Sequence, residues 1–434
     1  MRRAALAAFL LVAPALAAPA SEGVIADDYP RALASAREKG LPLLVDVWAP
    51  WCPSCRFMRA YVLGDARLAD LSRRFVRLDL NTELPSAEGF VARYPIDAWP
   101  TLLFVDPTTE EAVLRWAGTA TVDEVEKLAA DAERALSARR AGRAEEALAR
   151  ADRLMASRRH AEAAAAYAEA LAAGGPRWAE RARAAEHRVQ ALSLTPDQAA
   201  CARAAREVLP PLAPGPRRAR VAGIALGCAN GGGEAAAADR TALEEVARAA
   251  LKDPGAQADD RSLLHEALVD ARDAAGDDAG ARGEARRWQA LLEAEAARAP
   301  TPLARSAFDA ARVAAGIRLG DPARALPAVR ASVRELPGDF APLSTLAYAS
   351  LAAGRPAEAL DAAQRALALA EGPRRVRVEL LVAQAHLALG DRAAARAALE
   401  EGLRFGEALP EEQRPRSWLA QSRKLLDQLG GSDG

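Results

Sequence analysis

Val45-Asp46-Val47-Trp48-Ala49-Pro50-Trp51-Cys52-Pro53-Ser54-Cys55 decides how this chain is read. Leu41 to Val47 is apolar except for one acid, the pattern of a strand covered on both faces. It runs into a Trp-Cys-Pro-Ser-Cys loop that opens a helix. Pro53 suits the first helical position, because it has no N–H to leave unpaired and its φ is already helical. Two residues between the cysteines put both sulfurs on one side of that helix, one turn apart and within bridging reach. Unpaired N–H groups and the helix dipole favour a thiolate at Cys52. An easily ionised sulfur with a partner sulfur in reach can exchange disulfides.

On either side of this stretch the local signals alternate between helix and strand. Asp28 to Lys39 has helical propensity and stops at Gly40, a good C-cap. Asp65 to Arg74 reads as a second helical piece after the one that starts at Cys52. Phe75 to Leu80 alternates apolar and charged residues, as a strand with one wetter face does. Glu88 to Arg93 is a short helix, Thr101 to Asp106 and Ala112 to Trp116 are strands, and Thr121 with Glu124 forms a capping box for a final helix.

Four features in this order carry a resemblance: the strand LPLLVDVWAPWC, the Cys52/Cys55 pair, the strand FVRLDLN, and YPIDAWPTLLFVD around Trp99-Pro100-Thr101. Together they resemble the thioredoxin superfamily, over roughly Asp28 to Ala130. A Cys-x-x-Cys pair also occurs in zinc sites, but those want a second pair of ligands nearby, and this region has no further Cys and no His. The resemblance implies an α/β thioredoxin fold, a central mixed sheet flanked by helices. It implies Cys52 as the attacking sulfur and Cys55 as the resolving one, joined in a redox-active disulfide. Asp46 matches the family's buried acid, a proton acceptor for Cys55 whose pKa burial raises. Pro100 matches the cis-proline that offers backbone groups to a bound peptide, and Trp51 and Trp99 flank the same groove as substrate-binding residues. Arg77 falls where many members carry a lysine, and is read as a solvated strand charge.

The chain also departs from the pattern. Pro-Ser between the cysteines is neither the Gly-Pro of thioredoxin nor the Pro-His of the oxidant DsbA, and Trp99 is bulkier than the usual residue before the proline. The Cys-x-x-Cys-Arg-x-Met run and the extra Asp65–Arg74 piece resemble the electron-carrying C-terminal domain of the reductant relay DsbD. That likeness points to a reducing role.

At 434 residues the chain holds two or more domains. It is 51% hydrophobic and 27% charged, enough to build sizeable cores, and its net charge of -1 gives no reason to expect nucleic acid as a partner. Residues 1–20 read as a signal peptide: Arg2 and Arg3, an apolar run from Ala4 to Ala13, and the small-x-small site Ala15-Leu16-Ala17. The expected compartment is a periplasm or the exterior, with no membrane insertion once the segment is removed. Residues 21–130 are then the thioredoxin-like domain.

From about Asp131 the sequence changes to alanine-rich helical phrases broken by Gly or Pro. Gly320 and Gly354 lie 34 residues apart, each followed by a matching phrase, and Gly390 and Gly276 open looser copies. This resembles the tetratricopeptide repeat family, on Gly320, Ala325 and Pro337 and on Gly354, Ala359 and Ala366. The resemblance implies an all-α solenoid over 131–430, a face that takes a protein partner, and a loose tail at 431–434. Arg416 to Leu429 is expected as a capping helix. Cys201 and Cys228 sit in apolar helices, where a disulfide and two buried thiols both fit. The four histidines lack ligand spacing, so no metal or cofactor is assigned. Two functions follow. One is an exported thiol-disulfide oxidoreductase acting on protein disulfides, with a redox partner protein to reset it. The other is a non-enzymatic envelope adaptor that binds proteins through its repeats.

Overall fold

A computed structural model describes residues 23–137 and 142–430, so the 1–20 segment and the 431–434 tail lie outside the described residues. The N-terminal elements are β1 (Val24–Ala26), α1 (Tyr29–Lys39), β2 (Leu43–Trp48), α2 (Pro53–Tyr61), α3 (Leu71–Arg74), β3 (Val76–Asn81), α4 (Glu88–Arg93), β4 (Thr101–Asp106), β5 (Glu111–Ala117) and α5 (Val122–Ser137). They match the sequence reading except for β1, which is too short to carry a periodic signal. The sheet order is β1-β3-β2-β4-β5, with β1, β3 and β2 parallel and β4 antiparallel to both β2 and β5.

Strand alternation divides the core. Leu43, Val45 and Val47 of β2 pack with Leu78, Leu80 and Phe90 on the side of α1 and α4. Leu44 packs with Met58 of α2, Phe104 and Trp116 on the other. Asp46 shares the α2 side with Leu44, and Arg77 and Asp79 of β3 fall there by the same alternation. Thr121 and Glu124 make the expected reciprocal capping bonds, the Glu124 N–H donating to Thr121 Oγ1 at 3.1 Å and the Thr121 N–H to Glu124 Oε2 at 2.9 Å.

The remainder is an all-α array in which helices that follow each other in sequence pack on each other. Gly320 and Gly354 adopt φ of +74° and +67°, ending the helices Asp309–Arg318 and Phe340–Ala352 before the next one turns back. The 34-residue spacing is therefore a spacing of turns. Arg416–Gly430 closes the array. Among the described residues no helix is long and apolar enough to cross a membrane.

Cys201 and Cys228 are joined in a disulfide between the helices Gln198–Val208 and Pro216–Gly231, inside a core of alanine, leucine and valine. The bond spans 27 residues of chain. Closing a loop of that length in the unfolded state is worth roughly 3 kcal/mol. Cys201→Ala with Cys228→Ala is therefore expected to lower the urea midpoint of the array while leaving Cys52–Cys55 chemistry intact, read by denaturation monitored at Trp288 and Trp178.

The array turns these helices toward the chain's own N-terminal unit, and its contacts advance around that unit in chain order. His160 Nε2 meets Asp97 at 2.8 Å, and Gln190 donates to the Ala117 carbonyl on edge strand β5 at 2.8 Å. Arg220 pairs with Glu124 at 2.7 Å at the start of α5. Phe57 of α2 is buried among Trp288, Phe308 and Val269. Arg56 pairs with Asp339 at 2.8 Å, and Trp51 packs against the core of the last helix pairs.

Candidate active site

Cys52 is the N-cap of α2, in extended conformation, and Pro53 is the first helical residue. The two cysteines form a disulfide with Cα atoms 5.2 Å apart. The Cys55 backbone N–H donates to Cys52 Sγ at 3.0 Å, so one of the orphan donors of the helix start is aimed at that sulfur. Cys52 is 2% exposed and Cys55 1%. Around them lie Ala49 and the indoles of Trp48, Trp51 and Trp99.

Each indole is fixed. Trp51 Nε1–H donates to Glu83 Oε1 at 2.9 Å, and Trp99 Nε1–H to Thr82 Oγ1 at 3.0 Å. Their rings meet edge to face with centroids 5.2 Å apart. Trp48 lies under the Arg59 guanidinium, 4.1 Å from the ring centroid. The Trp99–Pro100 peptide bond is cis, the geometry expected from the sequence.

Asp46 is buried, and neither carboxylate oxygen has a hydrogen-bond partner. Burial, then the neighbouring Asp79 charge, push its pKa up to about 7, against the pull of Arg59 and Arg77. The parallel register sets Asp46 directly beside Asp79. Arg77 is not a solvated charge: it is 8% exposed, because β1 and β2 cover β3 on both sides. Even so, it does not hold Asp46 in the ordinary carboxylate range. Asp79 and Arg59 are the two members of this cluster that sequence reasoning missed. Arg59 Nη2 reaches Asp79 at 3.6 Å, and the alternation of β3 was the available signal for Asp79.

This gives a signed pH dependence. With its folded pKa above the unfolded value, Asp46 takes up a proton on folding between about pH 4 and 7. Stability falls as pH rises through that window and is flat above it. Asp46→Asn is expected to match the wild type near pH 4 and to exceed it at pH 8 by about 2–4 kcal/mol, measured by urea unfolding at both pH values.

The array closes over the site. Arg56, next to Cys55, bonds Ser306 Oγ through Nη2 at 2.7 Å and Asp339 through Nη1 at 2.8 Å. The Ser54 hydroxyl meets the Asp259 carboxyl, whose pKa is raised to about 6 by burial. Gly372, at φ +54°, would place a Cβ 3.0 Å from the Glu83 carbonyl oxygen, so glycine is what lets the array come this close to the loop.

The comparisons agree with this geometry. The family model of the thioredoxin-like domain matches residues 29–133. Thiol:disulfide interchange protein DsbD 1 of Pseudomonas aeruginosa is 36% identical over 99 residues, which cover 22% of this chain and 16% of that protein. DsbD of Pseudomonas fluorescens is 32% identical over 82 residues, 18% and 14% of the two chains. The chloroplastic M-type thioredoxin of Spinacia oleracea is 34% identical over 67 residues, 15% of this chain and 35% of that one. The chain thus spans about a sixth of the length of the first of these relatives. A solved APC/C hetero-tetramer, Cut9–Hcn1, overlays at a TM-score of 0.33 and 15% identity, covering 70% of this chain and 59% of that one, a likeness too low to carry an argument. Residues 29–133 of this chain are a thioredoxin-like domain, and an all-α array of helices follows it.

Proposed function

We propose that the chain is an exported thiol-disulfide oxidoreductase that reduces disulfides of protein substrates through Cys52 and Cys55. The observation that carries this reading is the Cys52–Cys55 pair at the start of α2, with a backbone N–H on the Cys52 sulfur. In the reduced enzyme the Cys52 thiolate attacks a substrate disulfide. The Cys52–S bond forms, the substrate S–S bond breaks, and one substrate thiolate leaves. Cys55 then gives its proton to Asp46, and its thiolate attacks the Cys52 sulfur. That closes the Cys52–Cys55 disulfide and releases the second substrate thiolate. Two electrons from a partner dithiol reset the pair. Trp51, Trp99 and the backbone at Pro100 hold the substrate segment in this reading. Export to a periplasm rests on the 1–20 segment.

Attack requires a substrate sulfur within bonding distance of Cys52, which lies beneath a layer of indoles and against the array. In the productive complex the seam between loop and array therefore opens. The same burial favours a second reading, in which the disulfide is structural and the array serves as an adaptor. Dithiol-driven reduction of a protein disulfide separates the two. The oxidoreductase accelerates it at least tenfold over Cys52→Ser, whereas an adaptor gives identical rates for both proteins.

A further inference from the structure

The seam between the two units holds a partly open cavity of about 260 Å³ next to the cysteine pair, lined by Trp51, Glu83 and Trp99 on one side and by Arg374 and Trp418 on the other. That space holds roughly two side chains or several waters. Its wall of Trp51 and Trp99 is the layer that covers Cys52.

Arg374 is held in this cavity by its faces. The guanidinium carbon lies 3.6 Å from the Trp51 ring centroid and 4.7 Å from that of Trp418. Stacking uses the faces of the guanidinium and leaves the five in-plane N–H donors available. The nearby carboxylate does not take them: Glu83 accepts from Trp51 Nε1 and from the Arg374 backbone N–H at 3.3 Å. Among the described residues the guanidinium has no carboxylate or carbonyl acceptor within bonding distance. Arg377 lies one turn on along the same helix and stacks on Tyr348 at 5.7 Å, again with no carboxylate partner there. Burial lowers the pKa of both, that of Arg374 to about 10 against the pull of Glu83 and with a smaller push from Arg377. The cavity thus holds a partly desolvated guanidinium whose side-chain donors are not taken by Glu83, the one carboxylate among the residues that line it.

We infer that Arg374 is a specificity-determining residue, which receives a carboxylate from an acidic peptide segment, carried beside the cysteine that exchanges with Cys52. This rests on the oxidoreductase reading and names its substrate class. An aromatic sandwich alone would make Arg374 a tie between the two units, and such a tie would affect all substrates equally.

The test uses the full chain, wild type and Arg374→Gln, and three disulfide-linked peptide dimers that differ only in having Glu, Gln or Lys before the cysteine. Second-order rates of peptide reduction by the reduced protein are compared. The wild type is expected to favour the Glu peptide over the Lys peptide at least tenfold, equivalent to about 1.4 kcal/mol. In Arg374→Gln the ratio falls to within threefold, whatever the common change in rate that all three peptides share. No preference in the wild type overturns the inference, as does a preference that survives in the variant, with or without an equal fall on all three peptides. If the wild type reduces none of the peptides, the oxidoreductase reading fails, and binding alone judges the site. The Glu peptide with serine in place of cysteine should then quench tryptophan emission in the wild type and not in Arg374→Gln. Equal quenching in both proteins, or none, overturns the inference.

Discussion

Cys55→Ser is expected to turn the protein from a catalyst into a trap. Cys52 keeps its place at the helix start, so the backbone N–H groups there still favour a thiolate and the first attack still proceeds. The second step needs a sulfur one turn away, and a serine hydroxyl cannot displace a thiolate from a disulfide at neutral pH. Substrate should therefore accumulate as a Cys52-linked mixed disulfide, with turnover lower by on the order of a thousandfold. Cys52→Ser should lose turnover to the same extent and trap nothing. Non-reducing electrophoresis with mass spectrometry of the linked peptides reads both. Mixed disulfides at Cys201 or Cys228 in place of Cys52 would sink the assignment of roles, since those two are buried in the array as a separate disulfide.

Arg56→Ala is expected to have the second largest effect, on access to Cys52. The Arg56 guanidinium is buried, and it ties α2 to Ser306 and Asp339 more than two hundred residues away in the chain. Removing one partner of a buried ion pair costs roughly 3–5 kcal/mol, because the other charge stays behind unpaired. Asp339 keeps some exposure and can recover water, so the lower end applies. If most of that cost falls on the closed seam, the open population rises at least tenfold. The reduced variant should therefore react with iodoacetamide at Cys52 at least ten times faster than the reduced wild type, with the unfolding midpoint of the array little changed. An unchanged alkylation rate would mean that this pair does not hold the array over the sulfur.

The local elements of the N-terminal unit were legible because each depends on residues near in sequence. Pro53 at the helix start, the apolar run of β2, the capping box at Thr121 and the Trp99-Pro100 pair all act within a few positions. The turns at Gly320 and Gly354 were legible for the same reason, as a repeated local phrase. What stayed hidden depends on register and on sparse contacts between distant segments. Asp46 beside Asp79 follows from how two parallel strands align, and Arg77 is buried because β1 and β2 flank it, though its own strand reads as half-wet. The array was read as a face for a partner, yet its helices meet the chain's own thioredoxin-like domain through Phe57, Arg56 and Trp51. No periodicity encodes that docking. Gly372 and Arg374, which set the approach, look in sequence like an ordinary turn and an ordinary surface charge.

The most direct test of the account is the equilibrium reduction potential of Cys52–Cys55 in the folded, full-length protein. It can be read in dithiol redox buffers by acid quenching, thiol labelling and mass spectrometry of the peptide that carries the pair. A reducing enzyme predicts reversible cycling at a potential near thioredoxin's, roughly -270 mV. A pair that does not cycle while the protein stays folded, or one poised near DsbA's value of roughly -120 mV, would contradict the account.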